Sequence, residues 1–126
     1  MVQSSTRLLI IDADRRFAEE LRADAERLGI AVEVVHDPIA FGPVLTSWRP
    51  DIIAMDLVMP DTDGLELLHA CARHAYDGQL ILMSGGFELY LDMAQELAMS
   101  HGLRVAAKLQ KPLRPKQFAY LLMSMI

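Results

Sequence analysis

"DIIAMDLVMPDTDG", residues 51–64, decides the fold of this chain, because a short apolar run in it ends in an acidic residue and a turn. The run at 51–55 has the length and composition of a buried β-strand. Asp56 follows it directly, and "DTDG" at 61–64 is typical of a turn that leads into a helix. The stretch therefore predicts a strand whose carboxyl end carries an acidic side chain.

Four other apolar runs also predict strands. They are "RLLII" (7–11), "AVEVV" (31–35), "QLILM" (79–83) and "RVAAK" (104–108). Apolar residues at helical spacing predict five helices, of which the first closes at Gly29 and the fourth stops near Gly102. The second helix, within 38–48, is the weakest, since Gly42-Pro43 in its middle should shorten or kink it.

Strict alternation of strands and helices predicts right-handed crossovers and a parallel sheet that is covered on both faces. We therefore predict an α/β three-layer sandwich with a doubly wound, five-stranded parallel sheet in the flavodoxin-like order 2-1-3-4-5. The domain should span residues 6–125, and residues 1–5 should form a disordered N-terminal tail.

Composition limits the function classes that fit this chain. Its 126 residues are 52% hydrophobic and 23% charged, which is typical of one globular domain. The net charge of -5 gives no broad basic surface for nucleic acid, and no apolar run is long enough to cross a membrane. A single cysteine, Cys71, is compatible with a reducing compartment, so we expect a cytoplasmic protein.

Polar residues fall at the carboxyl ends of the predicted strands. Asp12 and Asp14 follow the first strand, Asp56 the third and Ser84 the fourth, while Lys111 lies just beyond the fifth. Neighbouring strands run about 4.8 Å apart, so Asp12 and Asp56 should lie close together. At roughly 4 Å, two such charges repel by about 4 kcal/mol in a medium of intermediate dielectric. A cation must therefore lie between them, either Lys111 or Mg²⁺.

A carboxylate, a cation, a lysine and a hydroxyl at one place favour phosphoryl transfer. That chemistry needs the charge on the phosphoryl oxygens to be neutralised and the nucleophile to be aligned. Mg²⁺ takes oxygen ligands, keeps several waters and often binds phosphate as well. Asp56 would be the nucleophile and would form an acyl phosphate.

These residues resemble a known family, the receiver domain of two-component response regulators. "DIIAMDLVMPDTDG" resembles the phosphoacceptor strand and loop of that family, and "LILMSG" (80–85) and "LQKPL" (109–113) resemble two later motifs. The resemblance spans nearly the whole chain.

The resemblance implies a role for each matching residue. Asp56 resembles the phosphorylated aspartate, Ser84 the switch hydroxyl that follows the phosphoryl group, and Lys111 the lysine that pairs with that group. The implied Mg²⁺ site consists of Asp12, Asp56 and the backbone carbonyl of Val58.

Two positions depart from the family pattern. Ala13 stands where a second acidic metal ligand is usual, which puts the Mg²⁺ affinity in doubt: the site could be weak, slowly phosphorylated or used in one state only. Asp14 is one residue too late and should cap the first helix or be solvated. Lys108 stands where an aromatic switch residue is usual. The peptide bond of Lys111-Pro112 matches one that is usually cis in the family.

The implied function is signalling and not enzyme catalysis. A histidine kinase or phosphotransfer protein would donate a phosphoryl group to Asp56. The face formed by the fourth helix, fifth strand and fifth helix would then bind a partner, an output domain or a second copy. Segments 84–105 and 109–115 also look like receivers joined to EAL-type cyclic-di-GMP phosphodiesterases.

Three alternatives stay open at this point. The chain could be a degenerate receiver that works as a phosphorylation-independent interaction module, as Ala13 would permit. Ser84 could simply cap the fourth helix. "LLIIDADRRF" (8–17) superficially resembles the nucleophile loop of haloacid-dehalogenase-type phosphatases, but those enzymes need acidic residues after the lysine, and residues 112–126 contain none.

Overall fold

Five parallel strands form the central sheet of the computed structural model, which describes residues 5–60 and 62–126. The predicted tail at 1–5 lies, except for Ser5, outside the described residues. The strands of this sheet are β1 (Arg7–Ile11), β2 (Ala31–Val35), β3 (Ile52–Asp56), β6 (Gln79–Ser84) and β7 (Arg104–Gln110), while β4 (Val58–Met59) and β5 (Thr62–Asp63) lie outside it. The sheet order is β2-β1-β3-β6-β7, which is the predicted order 2-1-3-4-5. The short antiparallel pair β4-β5 was not predicted.

Helices cover both faces of this sheet. They are α1 (Arg15–Arg27), α2 (Phe41–Trp48), α3 (Gly64–Arg73), α4 (Glu88–Ser100) and α5 (Gln117–Met125). Leu8 and Ile10 of β1 pack in one core with α1 and α5, and Leu9 and Ile11 pack in another with α2, α3 and α4. The alternation of side chains along a strand sends neighbours to opposite faces, so the predicted three-layer sandwich is confirmed. No described helix is long and apolar enough to span a membrane.

The helix ends follow the predicted signals in most places. Asp14 caps α1, because its side chain accepts a hydrogen bond from the N–H of Phe17 at 3.0 Å. Gly29 follows α1 with a φ of 81°, a conformation that glycine adopts without strain. The second helix is shortened, as predicted, since α2 begins only at Phe41, but Gly42-Pro43 lie at its start and not in its middle. Both residues lie in the first turn of α2, where a missing N–H breaks no helical hydrogen bond, and a 3₁₀ turn precedes them.

The register of the strands places their carboxyl ends side by side. Ile11 of β1 pairs with Met55 of β3, and Asp56 pairs with Met83 of β6. All five residues of β3 are buried, as expected for a central parallel strand. Residues that end β3 and β6, and residues that directly follow β1 and β7, therefore meet at one edge of the sheet.

Gly64, the first residue of α3, fixes how this helix approaches the segment after Asp56. A Cβ at this position would lie 2.4 Å from the backbone oxygen of Leu57 and 2.5 Å from its Cα. These are backbone atoms, so no side-chain rotation can relieve the contact. The glycine permits α3 to begin directly against the loop that follows β3.

We predict that Gly64→Ala destabilises the fold by about 1–3 kcal/mol, because either α3 or the backbone of Leu57 must move. Gly42→Ala is a matched control, since Gly42 is also helical and a Cβ there would meet no atom within 4 Å. We expect this control to be neutral or to stabilise by about 0.5–1 kcal/mol. Urea unfolding of both variants measures the difference, and similar losses in the two would contradict the steric explanation.

Candidate functional site

The ammonium group of Lys111 lies between two carboxylates at the carboxyl edge of the sheet. Its Nζ is 2.7 Å from Oδ2 of Asp12 and 3.1 Å from Oδ2 of Asp56. Asp12 is 0% exposed and Asp56 is 5% exposed. Of the two cations that the sequence left open, Lys111 is placed by the structure in contact with both acids.

The remaining carboxylate oxygens are held by backbone N–H groups. Oδ1 of Asp12 accepts from the N–H of Asp14 at 2.9 Å, and Oδ1 of Asp56 accepts from the N–H of Val58 at 3.0 Å. In each acid, one carboxylate oxygen therefore accepts a hydrogen bond from a backbone N–H, and the other accepts one from Lys111. Such hydrogen bonds fix the orientation of both carboxylates and leave few alternative rotamers.

Lys111 also has an aromatic neighbour. Its Nζ lies 4.2 Å from the ring centroid of Phe17, the third residue of α1. A cation over an aromatic face is attracted by the ring quadrupole, and burial strengthens this attraction. Sequence reasoning treated Phe17 only as an apolar helix residue, because periodicity carries no signal for a contact with a lysine so distant in the chain.

Burial raises the pKa of Asp56 above its usual value of 3.8. The N–H of Val58 opposes this rise, the charge of Asp12 adds to it, and the charge of Lys111 opposes it. Because the pKa is raised in the folded state, the contribution of Asp56 to stability is favourable below about pH 3.8 and is lost as the pH rises through the raised pKa. Burial therefore makes the ionised form of Asp56 less favourable in the folded protein than in the unfolded chain.

The pKa of Lys111 is raised as well. Burial alone would lower it, but the hydrogen bond and charge of Asp12, followed by those of Asp56, outweigh the burial. The two acids therefore favour the charged form of the lysine. Three groups from distant parts of the chain thus form one electrostatic unit.

Ser84 is fully buried at the end of β6. Its hydroxyl oxygen accepts a hydrogen bond from the N–H of Gly86 at 3.0 Å, and its carbonyl accepts from the N–H of Lys111 at 2.8 Å. α4 begins after Phe87 without a side-chain cap. The alternative in which Ser84 caps α4 is therefore wrong, and Ser84 instead connects the loop before α4 to the lysine.

Comparisons with known proteins agree with this geometry. The profile of the response regulator receiver domain matches residues 8–122. The chain belongs to the response regulator receiver domain family. Response regulator MprA of Mycobacterium tuberculosis is 40% identical over 63 residues, which are 50% of this chain and 27% of that protein. The match thus spans little more than a quarter of that relative's length.

Two solved structures show the same receiver architecture. A response regulator from Colwellia psychrerythraea is 35% identical with a TM-score of 0.85, and 97% of each chain is covered. A signal receiver domain from Bermanella marisrubri, 24% identical, has a TM-score of 0.73 with 97% of this chain and 95% of that chain covered, which supports the fold alone. The peptide bond between Lys111 and Pro112 is cis, as the resemblance to the receiver family implied.

The receiver domain is one acid short of the usual metal-ligand set. Ala13 is exposed, and Asp14 is occupied in capping α1. Within residues 5–60 and 62–126, no group of three or more His, Cys, Asp or Glu side chains could hold a metal ion. Asp12 and Asp56 nevertheless converge on one cation, and their oxygens are the donors that Mg²⁺ prefers. The donor set fits Mg²⁺ in kind, with fewer protein ligands.

The second departure, Lys108, forms an ion pair in place of an aromatic contact. Its Nζ lies 2.6 Å from Oδ1 of Asp92 on α4. Gln110, two residues later on β7, donates through Nε2 to the carbonyl of Gly86. β7 therefore holds α4 and the loop before it through polar groups. Sequence reasoning missed Asp92 and Gln110, since neither differs in pattern from an ordinary surface residue.

We predict that Lys111→Met destabilises the receiver by about 3 kcal/mol at pH 7, because two buried carboxylates then lack a cation. The loss should shrink as the pH falls and the acids become protonated. Unfolding free energies from urea titrations across this pH range measure the effect. Lys108→Met is the control and should cost less than about 1 kcal/mol, since its pair is half exposed. A loss for Lys111→Met that does not depend on pH would contradict this explanation.

A double-mutant cycle with Lys108→Met and Asp92→Asn should give a coupling free energy of about 0.2–1 kcal/mol in favour of the pair. The coupling should largely disappear at about 1 M NaCl, where the screening length falls to about 3 Å. Unfolding measurements at low and high salt test both statements. Additive single losses at low salt would show that this ion pair does not connect α4 to β7.

Proposed function

We propose that this receiver domain accepts a phosphoryl group on Asp56 from the phosphohistidine of a histidine kinase or phosphotransfer protein. The observation that carries the proposal is the convergence of Asp56, Asp12 and Lys111 at the carboxyl edge of the sheet. Parallel α/β sheets bind their ligands at this edge, where the strand order reverses between β1 and β3.

In this proposal Asp56 is the nucleophile. One of its carboxylate oxygens forms a bond to phosphorus while the bond from phosphorus to the donor histidine nitrogen breaks, and that nitrogen keeps the electron pair. The N–H of Val58, 3.0 Å from Oδ1, holds one oxygen while the other faces Lys111. The reaction thereby replaces the carboxylate of Asp56, whose ionised form is disfavoured by burial, with an acyl phosphate.

Lys111 changes partner in this reaction. Before transfer its ammonium contacts both acids, and after transfer it would pair with a phosphoryl oxygen while keeping Asp12. The aromatic ring of Phe17 limits the positions that the ammonium can occupy. Lysine is suited to this role because it is a compact charge on a flexible chain.

Asp12, Asp56 and the backbone carbonyl of Val58 would hold Mg²⁺, with waters and phosphoryl oxygens as its other ligands. When bound, Mg²⁺ supplies positive charge for the oxygens of the transferring group. With Ala13 beside Asp12, the protein contributes two carboxylates instead of three. We propose that the Mg²⁺ affinity is correspondingly modest and that Asp12 contributes a larger share of the binding free energy.

Ser84 would transmit the change at Asp56. Its hydroxyl would leave the N–H of Gly86 and bind a phosphoryl oxygen. The loop before α4, which Gln110 attaches to β7, and α4, which the Lys108–Asp92 pair attaches to β7, could then move. The face of α4, β7 and α5 would then present a different surface to an output domain or a second copy. Exposed apolar side chains on these helices suit such a contact: Leu89, Met93, Met99, Tyr120 and Met123.

Several finer expectations belong to the same proposal. We place the domain at residues 6–125 and in the cytoplasm, where Cys71, a buried free thiol, would stay reduced. We expect neither nucleic acid nor membrane to bind this domain, and the resemblance to receivers joined to EAL-type phosphodiesterases stays a prediction. The phosphatase alternative needs acidic residues after Lys111, and residues 112–126 contain none.

Intact-mass spectrometry after incubation with acetyl phosphate and Mg²⁺ tests the proposal directly. We expect the wild type to gain one phosphoryl group, Asp56→Asn to gain none and Asp63→Asn to behave like the wild type. Asp63 is a suitable control because it is an exposed acid close to the same loop, where it caps α3. An unmodified wild type, with the phosphohistidine donor as well as with acetyl phosphate, would favour the degenerate receiver instead.

A further inference from the structure

Asp12 is held at every polar atom, although it lies at the end of a strand. Its N–H donates to the carbonyl of Val35 at 3.1 Å, and its carbonyl contacts Nδ1 of His36 at 2.9 Å. Its carboxylate is held by the N–H of Asp14 and by Lys111. Of these partners, His36 alone is a side chain that fixes the backbone of Asp12.

The contact with His36 defines the state of its ring. A backbone carbonyl can only accept a hydrogen bond, so Nδ1 must carry the proton. Nδ1 donates in the neutral tautomer and in the charged imidazolium alike, and the bond therefore does not depend on the charge of His36. The half-buried ring and Ala13 both line a surface cavity of about 570 Å³. Without the imidazole, the carbonyl of Asp12 would be open to water in this cavity.

The site of this chain depends strongly on where the carboxylate of Asp12 lies. Because position 13 is an alanine and Asp14 caps α1, Asp12 is the one acid at the end of β1 that faces Lys111. A displacement of about 1 Å in a site of this kind can lower its efficiency severely. Within residues 5–60 and 62–126, the other carboxylate on Lys111 is that of Asp56, which is held separately by the N–H of Val58.

We propose that His36 is a positioning residue for Asp12: its Nδ1–H holds the carbonyl of Asp12 and so sets the carboxylate for Lys111 and for Mg²⁺. The inference rests on the proposed function for its Mg²⁺ part, whereas the effect on Lys111 is a property of the metal-free protein. Partners of this kind, which orient a metal ligand without touching the metal, commonly alter affinity by about 10-fold or more.

The loop that carries His36 has an anchor of its own. The side chain of Asp37 accepts a hydrogen bond from the N–H of Ile39 at 2.9 Å and so caps the 3₁₀ turn. Asp37→Ala therefore disturbs the same loop without removing a partner of Asp12. It is a matched control for a loss that comes from the loop alone.

The metal-free test is a double-mutant cycle between His36→Ala and Lys111→Met, with unfolding by urea as the measurement. Positioning predicts that the two losses are not additive, because Lys111 contacts a displaced Asp12 in the His36→Ala protein. A cycle with Asp37→Ala in place of His36→Ala should be additive. Additivity in both cycles would overturn the inference, whatever the receiver does with phosphate.

The second test is Mg²⁺ titration followed by amide chemical shifts near Asp56. We expect His36→Ala to raise the dissociation constant about 10-fold, and Asp37→Ala to leave it unchanged. His36→Asn should restore most of the affinity, since its amide can donate to the same carbonyl. Equal affinities in all variants, or no rescue by asparagine, would overturn the inference. A wild type that binds no Mg²⁺ but shows coupling in the metal-free cycle would contradict the proposed function and leave the positioning intact.

Discussion

The contact of one ammonium group with two buried carboxylates is the constraint on which the rest of the structure depends. Without Lys111, two ionised carboxylates at this depth would repel each other by about 4 kcal/mol at roughly 4 Å. Lys111 reaches them because β7 ends beside β6, and β6 in turn neighbours β3. The chemistry of the site therefore requires this order of the strands.

The same constraint explains why the loops at this edge are held by so many backbone contacts. Asp14 both caps α1 and donates its N–H to Asp12, so the start of the helix and the orientation of the acid are set together. Gly64 lets α3 begin against Leu57, directly after Asp56. Each acid is thus fixed by the segment that follows it, and Lys111 joins the two fixed groups.

Sequence reasoning recovers the parts of this structure that depend on local pattern. The five sheet strands, the cap at Asp14 and the turn at Gly29 follow from residue type and spacing within a few positions. The convergence of Asp12, Asp56 and Lys111 also follows, because parallel strands bring their carboxyl ends together. The roles of these residues in phosphate chemistry come from resemblance and remain a proposal.

Contacts between distant residues could not be predicted in the same way. His36 and Asp92 are ordinary residues in a loop and on a helix, and their partners are known only once the register of the sheet and the rotation of α4 are fixed. The β4-β5 pair has two residues in each strand, too few for any periodicity to show. The effect of Gly42-Pro43 was predicted only in part, because the helix is shortened but the pair lies in its first turn, where a proline breaks no helical hydrogen bond.

The alanine at position 13 alters the balance of charge as well as the number of ligands. Asp12, Asp56 and Lys111 together carry a net charge of about -1. A third carboxylate would make this charge about -2, and each repulsion between neighbouring carboxylates would cost about 4 kcal/mol. Without it, the metal-free receiver is closer to neutral and has less need of a divalent cation for stability. The gain from binding that cation falls for the same reason, so the capture of a phosphoryl group depends more on Lys111 and on how firmly Asp12 is held.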